Sequence, residues 1–184
     1  MPTIFLSGSR AITILPEPAL PGLHAITSQN LPIIIGDAPG ADTVLQRHLH
    51  HLGYHHVTVF CSGAHCRNNI GNWPLQQVPV PRHVLFGFQF YAAKDRAMAA
   101  RADFGFMLWD GHSPGTLINV MRLAEAGKKA RMLNAPTGQL LTFSTRDDWQ
   151  KFYASLPPVI RKRVTERTIP GDLDREADPP DREV

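Results

Sequence analysis

Short apolar segments of strand length alternate with segments of helical periodicity along most of this chain. Residues 31–35 read Leu-Pro-Ile-Ile-Ile, whereas in residues 43–52 apolar side chains recur every three or four positions. The first pattern is typical of a strand buried on both faces of a sheet, and the second of an amphipathic helix. Strands and helices that alternate in this way predict an α/β fold, a three-layer sandwich with a mostly parallel sheet.

The same patterns predict the order of the elements. We expect strands at residues 3–7, 31–35, 57–60, 104–109, 130–133 and 139–143, and helices within 16–29 and at 43–52, 91–101, 113–126 and 146–155. Residues 61–90 break the alternation with prolines, glycines and asparagines, which predicts a long, partly ordered loop. Residues 157–169 match neither pattern clearly. We therefore predict one domain at residues 1–156 and a C-terminal extension at 157–184.

Composition excludes several classes of protein. A hydrophobic fraction of 43% and a charged fraction of 19% in 184 residues are those of an ordinary globular domain, not of a disordered chain. No apolar run approaches the roughly 20 residues of a membrane helix, so we expect no membrane partner. With only two cysteines and no signal-peptide pattern, the chain is expected to be cytoplasmic.

Charge is spread unevenly along the chain. Residues 1–169 contain 17 Lys and Arg against 10 Asp and Glu, whereas residues 170–184 contain 2 against 6. A basic body favours anionic ligands, but the surplus is too small to make nucleic acid the favoured partner. The acidic, proline-rich tail is expected to be disordered from about residue 170.

Glycine-containing turns follow three of the predicted strands. They are Gly8-Ser9-Arg10, the segment from Gly36 to Asp42, and the segment from Asp110 to Thr116. The carboxyl ends of parallel strands lie at one edge of a sheet, and glycines and helix N-termini there let backbone N–H groups approach an anion. Together the turns predict a phosphate-binding crevice, although each alone could simply begin a helix.

Two features of the 61–90 segment bear on ligand and metal binding. Residues 67–73 contain Arg67, three asparagines and Trp73. This composition suits either a site for an anion or a base, or a turn-rich loop in which Trp73 packs on the body of the protein. Both interpretations stay open. Cys61 and Cys66 lack the second ligand pair of a structural zinc site, so we expect no metal and two reduced thiols.

The three turns, the motif Tyr91-Ala-Ala-Lys-Asp95 and the run Glu125-Ala-Gly-Lys128 together resemble the SLOG superfamily over about residues 3–143. The resemblance is to its YspA-like branch related to YpsA, and more distantly to the Lonely Guy phosphoribohydrolases and the DprA proteins. It implies a Rossmann-like fold that binds a nucleotide or nucleotide-derived ligand, as in bacterial sensors and nucleotide-processing enzymes. It also implies a homodimer, and it favours Lys94 and Asp95 pointing into the crevice over a surface pair.

The resulting candidate residues fall into two groups. Ligand binding is predicted for Gly8, Ser9, Arg10, Gly36, Asp37, Ala38, Gly40, Asp42, Arg67, Lys94, Asp110, Ser113, Gly115 and Thr116. Catalysis, if there is any, is predicted for Asp42, Asp95 and Asp110. No cofactor is expected.

One departure from the Lonely Guy motif limits the enzymatic interpretation. In those enzymes a glutamate three residues after the Gly-Thr pair serves N-glycosidic cleavage, and here that position is Asn119. An amide cannot act as a general base. We therefore favour a nucleotide-binding sensor or regulatory protein, followed by an enzyme that cleaves an N-glycosidic bond, and then by a DprA-like binder of single-stranded DNA.

Overall fold

A seven-stranded sheet with helices on both faces makes up the described part of the computed structural model, which is residues 1–81, 84, 87–169 and 172. The strands are β1 (Ile4–Gly8), β2 (Ile33–Gly36), β3 (Val57–Ser62), β4 (Leu75–Val78), β5 (Phe104–Trp109), β6 (Lys129–Asn134) and β7 (Gln139–Phe143). The helices are α1 (Leu20–Ser28), α2 (Ala41–His51), α3 (Phe88–Arg101), α4 (Pro114–Glu125), α5 (Arg146–Ser155) and α6 (Pro158–Arg167).

The order of the strands changes side once, between β1 and β5 in the middle of the sheet. The order is β4-β3-β2-β1-β5-β6-β7, and every neighbouring pair is parallel except β6 with β7. The chain builds outward from β1 in one direction and then returns to add β5 on its other side. In open α/β sheets the crevice beyond such a switch point is where ligands bind. The predicted three-layer, mostly parallel fold is confirmed, and it is Rossmann-like.

Each face of the sheet has its own hydrophobic core, because successive side chains of a strand point to opposite faces. Leu6 of β1 packs in a cluster with Leu23 of α1 and Leu45 of α2. Its neighbour Phe5 packs in the other cluster, which α3, α4, α5 and α6 complete. Central strands buried on both faces explain the apolar runs of the sequence.

Helix ends follow the local chemistry of the sequence. Gly53 and Gly127 adopt φ of +63° and +69° just beyond α2 and α4, as expected of glycines that end helices. At the start of α5, Thr145 and Asp148 form a reciprocal capping box. Helix α5 has the bounds that the sequence predicts.

Three segments differ from the sequence prediction by more than two residues. Strand β4 lies inside the predicted 61–90 loop; it is an edge strand bounded by Pro74 and Pro79 and mostly exposed, so it lacks the apolar signal of a buried strand. Helix α3 begins at Phe88, three residues before the predicted start. Residues 158–167, which match no clear pattern, form α6.

Helix α6 joins the core of the sheet. Ile160 and Val164 are buried in the same cluster as the apolar face of α4. Apart from Asp172, the acidic tail predicted to be disordered lies outside the described residues. No helix among the described residues combines the length and apolar character needed to cross a membrane.

Candidate functional site

A cavity of about 320 Å³ opens beyond the carboxyl ends of β1 and β5, at the switch point of the sheet. Residues 7–10 at the carboxyl end of β1 and residues 113–116 at the start of α4 form two of its walls, and α3 contributes another. This volume is at the lower end of the range of small-molecule sites.

Ten of the residues predicted from the sequence line this cavity. They are Gly8, Ser9, Arg10, Ala38, Asp42, Lys94, Asp95, Ser113, Gly115 and Thr116. The lining does not include Gly36, Asp37, Gly40, Arg67 or Asp110. Eight lining residues were not predicted as site residues: Ser7, Gly87, Phe88, Tyr91, Ala92, Pro114, Asn119 and Arg167.

The turn after β1 is held against β5 and α4 by buried polar contacts. Ser9 N–H donates to the Leu108 carbonyl at 2.9 Å, and Ser9 Oγ lies 3.0 Å from Thr116 Oγ1. A Cβ on Gly8 would collide with the same carbonyl and with Ala41, so only glycine fits there. The two predicted turns are thereby fixed to one another.

The first turn of α4 offers donors to an anion. Pro114 has no N–H, and the N–H groups of Gly115 and Thr116 have no intrahelical acceptor because they lie in the first turn. The positive end of the helix dipole adds to their effect. Gly115 lines the cavity, and the nearest atom that an added Cβ there would meet is a Phe88 ring carbon at 3.8 Å.

Asp110 shapes this helix start rather than the cavity wall. Its Oδ1 accepts hydrogen bonds from the N–H groups of His112 and Ser113, at 2.9 and 2.7 Å, and its Oδ2 accepts one from Ser113 Oγ at 2.6 Å. Ser113 stands at the predicted N-cap position but makes no side-chain cap bond to the helix. Burial opposes ionisation of Asp110, but these hydrogen bonds outweigh it and lower its pKa.

A cluster of three charged groups, of which Lys94 and Asp42 are buried, closes the inner end of the cavity. Lys94 Nζ lies 2.7 Å from Asp95 Oδ1 and 3.7 Å from Asp42 Oδ2. Asp42 Oδ2 also accepts a hydrogen bond from Ala38 N–H at 3.1 Å, whereas Asp42 Oδ1 has no hydrogen-bond partner among the described residues. A buried carboxylate oxygen without a partner beside a cavity is available to a ligand donor.

The electrostatics of this cluster differ from one group to the next. Burial raises the pKa of Asp42 to about 6, against the opposing charge of Lys94. Burial alone would lower the pKa of Lys94, but Asp95 and Asp42 outweigh it and raise the pKa, so the ammonium stays protonated. Near neutral pH the cluster therefore has one cation and a carboxyl group, Asp42, that titrates close by.

Arg67 does not line the cavity but pairs with Asp37. Its Nε and Nη2 donate to the two carboxylate oxygens of Asp37, at 3.1 and 2.6 Å, and its backbone N–H donates to Oδ2 at 3.0 Å. The guanidinium carbons of Arg67 and Arg10 lie 4.1 and 5.2 Å from the ring centre of Tyr91. Arg67 thus supports Tyr91, which itself lines the cavity. Trp73 packs in the core, with its indole N–H donating to the Tyr54 carbonyl.

The two cysteines differ from the sequence expectation. The structure joins Cys61 and Cys66 in a disulfide, so the prediction of two reduced thiols is wrong; the turn at Gly63 brings their Cα atoms to 5.2 Å. Their sulfur atoms and an oxygen of Asp37 lie within 4.8 Å of one another, a spacing that metal ligands can have. Each is already engaged, however, the sulfurs with one another and Asp37 with Arg67.

Comparison with known proteins does not assign this site to a family. No protein-family model, no curated protein and no solved structure matches the chain.

Proposed function

We propose that the crevice binds a nucleotide or nucleotide-derived ligand through its phosphate, and that the chain is a nucleotide-binding sensor or regulatory protein of the SLOG type. The observation that carries the proposal is the convergence of Arg10 and the first turn of α4 on one cavity at the switch point of the sheet. Unpaired helix N–H groups and a guanidinium are complementary to a phosphate.

The remainder of the cavity suits the other parts of a nucleotide. Tyr91 and Phe88 provide aromatic surface against which a base can pack. At the inner end, Asp42 Oδ1 can accept a hydrogen bond from a hydroxyl or amino group. The proposed ligand therefore has an anionic end at α4 and a donor directed at Asp42.

Two measurements test this proposal. Mass spectrometry of small molecules released from the denatured, purified protein should identify a phosphorylated nucleotide derivative. Calorimetry with nucleoside monophosphates and the matching nucleosides should show tighter binding of the phosphorylated members. Equal affinity for a nucleotide and its nucleoside, or no binding of either, contradicts the proposal.

A second candidate function is cleavage of an N-glycosidic bond in the same crevice. It is favoured by the buried Asp42 carboxyl, whose pKa of about 6 suits proton transfer near neutral pH, and by Asp95 beside it. Asn119, at the position of the Lonely Guy glutamate, lines the cavity but accepts a hydrogen bond from Arg122. A carboxylate from another element would have to replace that glutamate, so this function ranks second.

A further inference from the structure

Two arginines from neighbouring helices converge on one carboxylate near the C-terminus. Arg122 Nε and Arg96 Nε donate to Asp172 Oδ1 at 2.8 and 2.9 Å, and Arg122 Nη2 lies 2.6 Å from the same oxygen. Asp172 Oδ2 accepts a hydrogen bond from Ile169 N–H at 2.9 Å. One carboxylate oxygen is therefore surrounded by three guanidinium nitrogens.

The Arg122–Asp172 pair of this cluster is deeply buried, whereas Arg96 is partly exposed. The side chains of Arg122 and Asp172 are 5% and 0% exposed. Burial alone would raise the pKa of Asp172, but the charge of Arg122 and the N–H of Ile169 outweigh it and lower the pKa, so the carboxylate is ionised. A buried guanidinium requires an anion, since leaving it unpaired is strongly destabilising. Here the anion comes from a segment beyond the last helix.

The cluster adjoins the crevice through two residues. Arg122 Nη1 donates to Asn119 Oδ1 at 2.6 Å, and Asn119 lines the cavity. Arg167, the last residue of α6, also lines the cavity, and its guanidinium lies over the Phe88 ring. The Gln89 amide holds this end of α6 by donating to the Arg167 carbonyl at 3.1 Å.

We propose that Arg96 and Arg122 form an anion-binding subsite beside the crevice, occupied by the Asp172 carboxylate until a phosphate group displaces it. Paired guanidinium groups suit a phosphate at least as well as a carboxylate, because each can donate two parallel hydrogen bonds. The subsite would extend the crevice to a ligand with a second anionic group. It goes beyond the proposed function, because it does not require a nucleotide at α4.

Calorimetry with inorganic phosphate at constant ionic strength tests this subsite. Asp172→Asn removes the resident charge, and we expect it to tighten phosphate binding at least tenfold. Adding Arg122→Gln should abolish that gain. Glu166→Gln is the matched control, since it removes one negative charge from an exposed position on α6 and should leave phosphate affinity unchanged.

Asp172→Asn also leaves two arginines without their anion and should lower the melting temperature. If the subsite accepts phosphate, phosphate will raise the melting temperature of this variant more than that of the wild type. A destabilised variant that phosphate neither binds more tightly nor stabilises further would show that Asp172 is only a structural anchor, and would overturn the proposal.

A further variant separates this inference from the proposed function. Arg10→Ala, added to Asp172→Asn, should preserve the gain in phosphate affinity, because Arg10 lies in the turn after β1 and is not part of the subsite. If Arg10→Ala abolishes the gain, phosphate is bound at α4 and the subsite is refuted. If the gain persists while no nucleotide binds the wild type, the proposed function alone fails.

Discussion

The ammonium group of Lys94 lies 3.7 Å from Asp42 Oδ2, in a place where the two side chains are only 3% and 2% exposed. Lys94 is closer to Asp95, at 2.7 Å, so the one cation in this three-charge cluster attracts Asp42 less strongly than it attracts Asp95. That asymmetry, together with burial, explains why the pKa of Asp42 rises to about 6 while Lys94 stays charged. The crevice therefore combines a fixed cation with a carboxyl group that titrates near neutrality.

The raised pKa of Asp42 predicts a pH-dependent cost to stability. Between its ordinary pKa of 3.8 and about 6, the folded state binds more protons at Asp42 than the unfolded state does. The contribution of Asp42 to the free energy of unfolding is fully present below pH 3.8 and is lost as the pH rises through 6. Relative to Asp42→Asn, the wild type should lose about 2–3 kcal/mol of unfolding free energy between pH 4 and 7. Urea unfolding of both proteins across this range measures the difference, and parallel pH profiles would contradict it.

Arg10 is expected to contribute to affinity rather than to the fold. Arg10→Ala should weaken binding of a nucleoside monophosphate by about 1.5–3 kcal/mol, the range for hydrogen bonds to charged groups, and leave the unphosphorylated nucleoside nearly unaffected. The control is Arg131→Ala, which removes an exposed arginine on β6. Equal losses for both ligands, measured by calorimetry, would mean that Arg10 only supports the structure.

Asp110 should matter for stability through the start of α4. Because its carboxylate accepts three hydrogen bonds from residues 112 and 113, Asp110→Ala should lower the unfolding free energy by about 0.5–2 kcal/mol, as loss of a helix cap does. Asp147→Ala, at an exposed position in the first turn of α5, serves as the comparison. Chemical denaturation measures the stability of both variants. An Asp110 variant as stable as the wild type would show that these hydrogen bonds do not stabilise the fold.

The enzymatic alternative makes its own prediction. With Asn119 at the position of the Lonely Guy glutamate, we expect no release of free base from ordinary nucleoside monophosphates faster than about 1 s⁻¹, the low end of common turnover. Any slower release should disappear in Asp42→Asn or Asp95→Asn, with the fold retained. Chromatographic assay of free base decides it. Rapid release by the wild type, or turnover unchanged in both variants, would place the chemistry elsewhere.

The fold and the position of the crevice could be predicted from sequence because they depend on local patterns. Apolar runs such as residues 33–35 identify central strands, and the parallel arrangement then brings the turns after β1 and β5 to one edge. Edge strand β4 was missed because three of its four residues are exposed, which removes the apolar signal.

The charge pairs around the crevice could not be predicted in this way. Asp37 and Arg67 are 30 residues apart, and Arg96 and Asp172 are 76 apart, so no periodicity in the sequence connects them. The sequence predicted Asp37 and Arg67 separately as ligand residues, whereas the structure pairs them outside the lining of the cavity. Arg167 reaches the lining only because α6 packs on α4.

The most direct test of the proposed phosphate site is whether a phosphate contacts the start of α4. Backbone amide NMR should be recorded with the nucleoside monophosphate that binds most tightly in the calorimetric series, and with its nucleoside. We predict that the N–H resonances of Gly115 and Thr116 shift strongly with the nucleotide and little with the nucleoside. Unchanged resonances at both residues on saturation with the nucleotide, or the same shifts with the nucleoside, would contradict the proposed phosphate site.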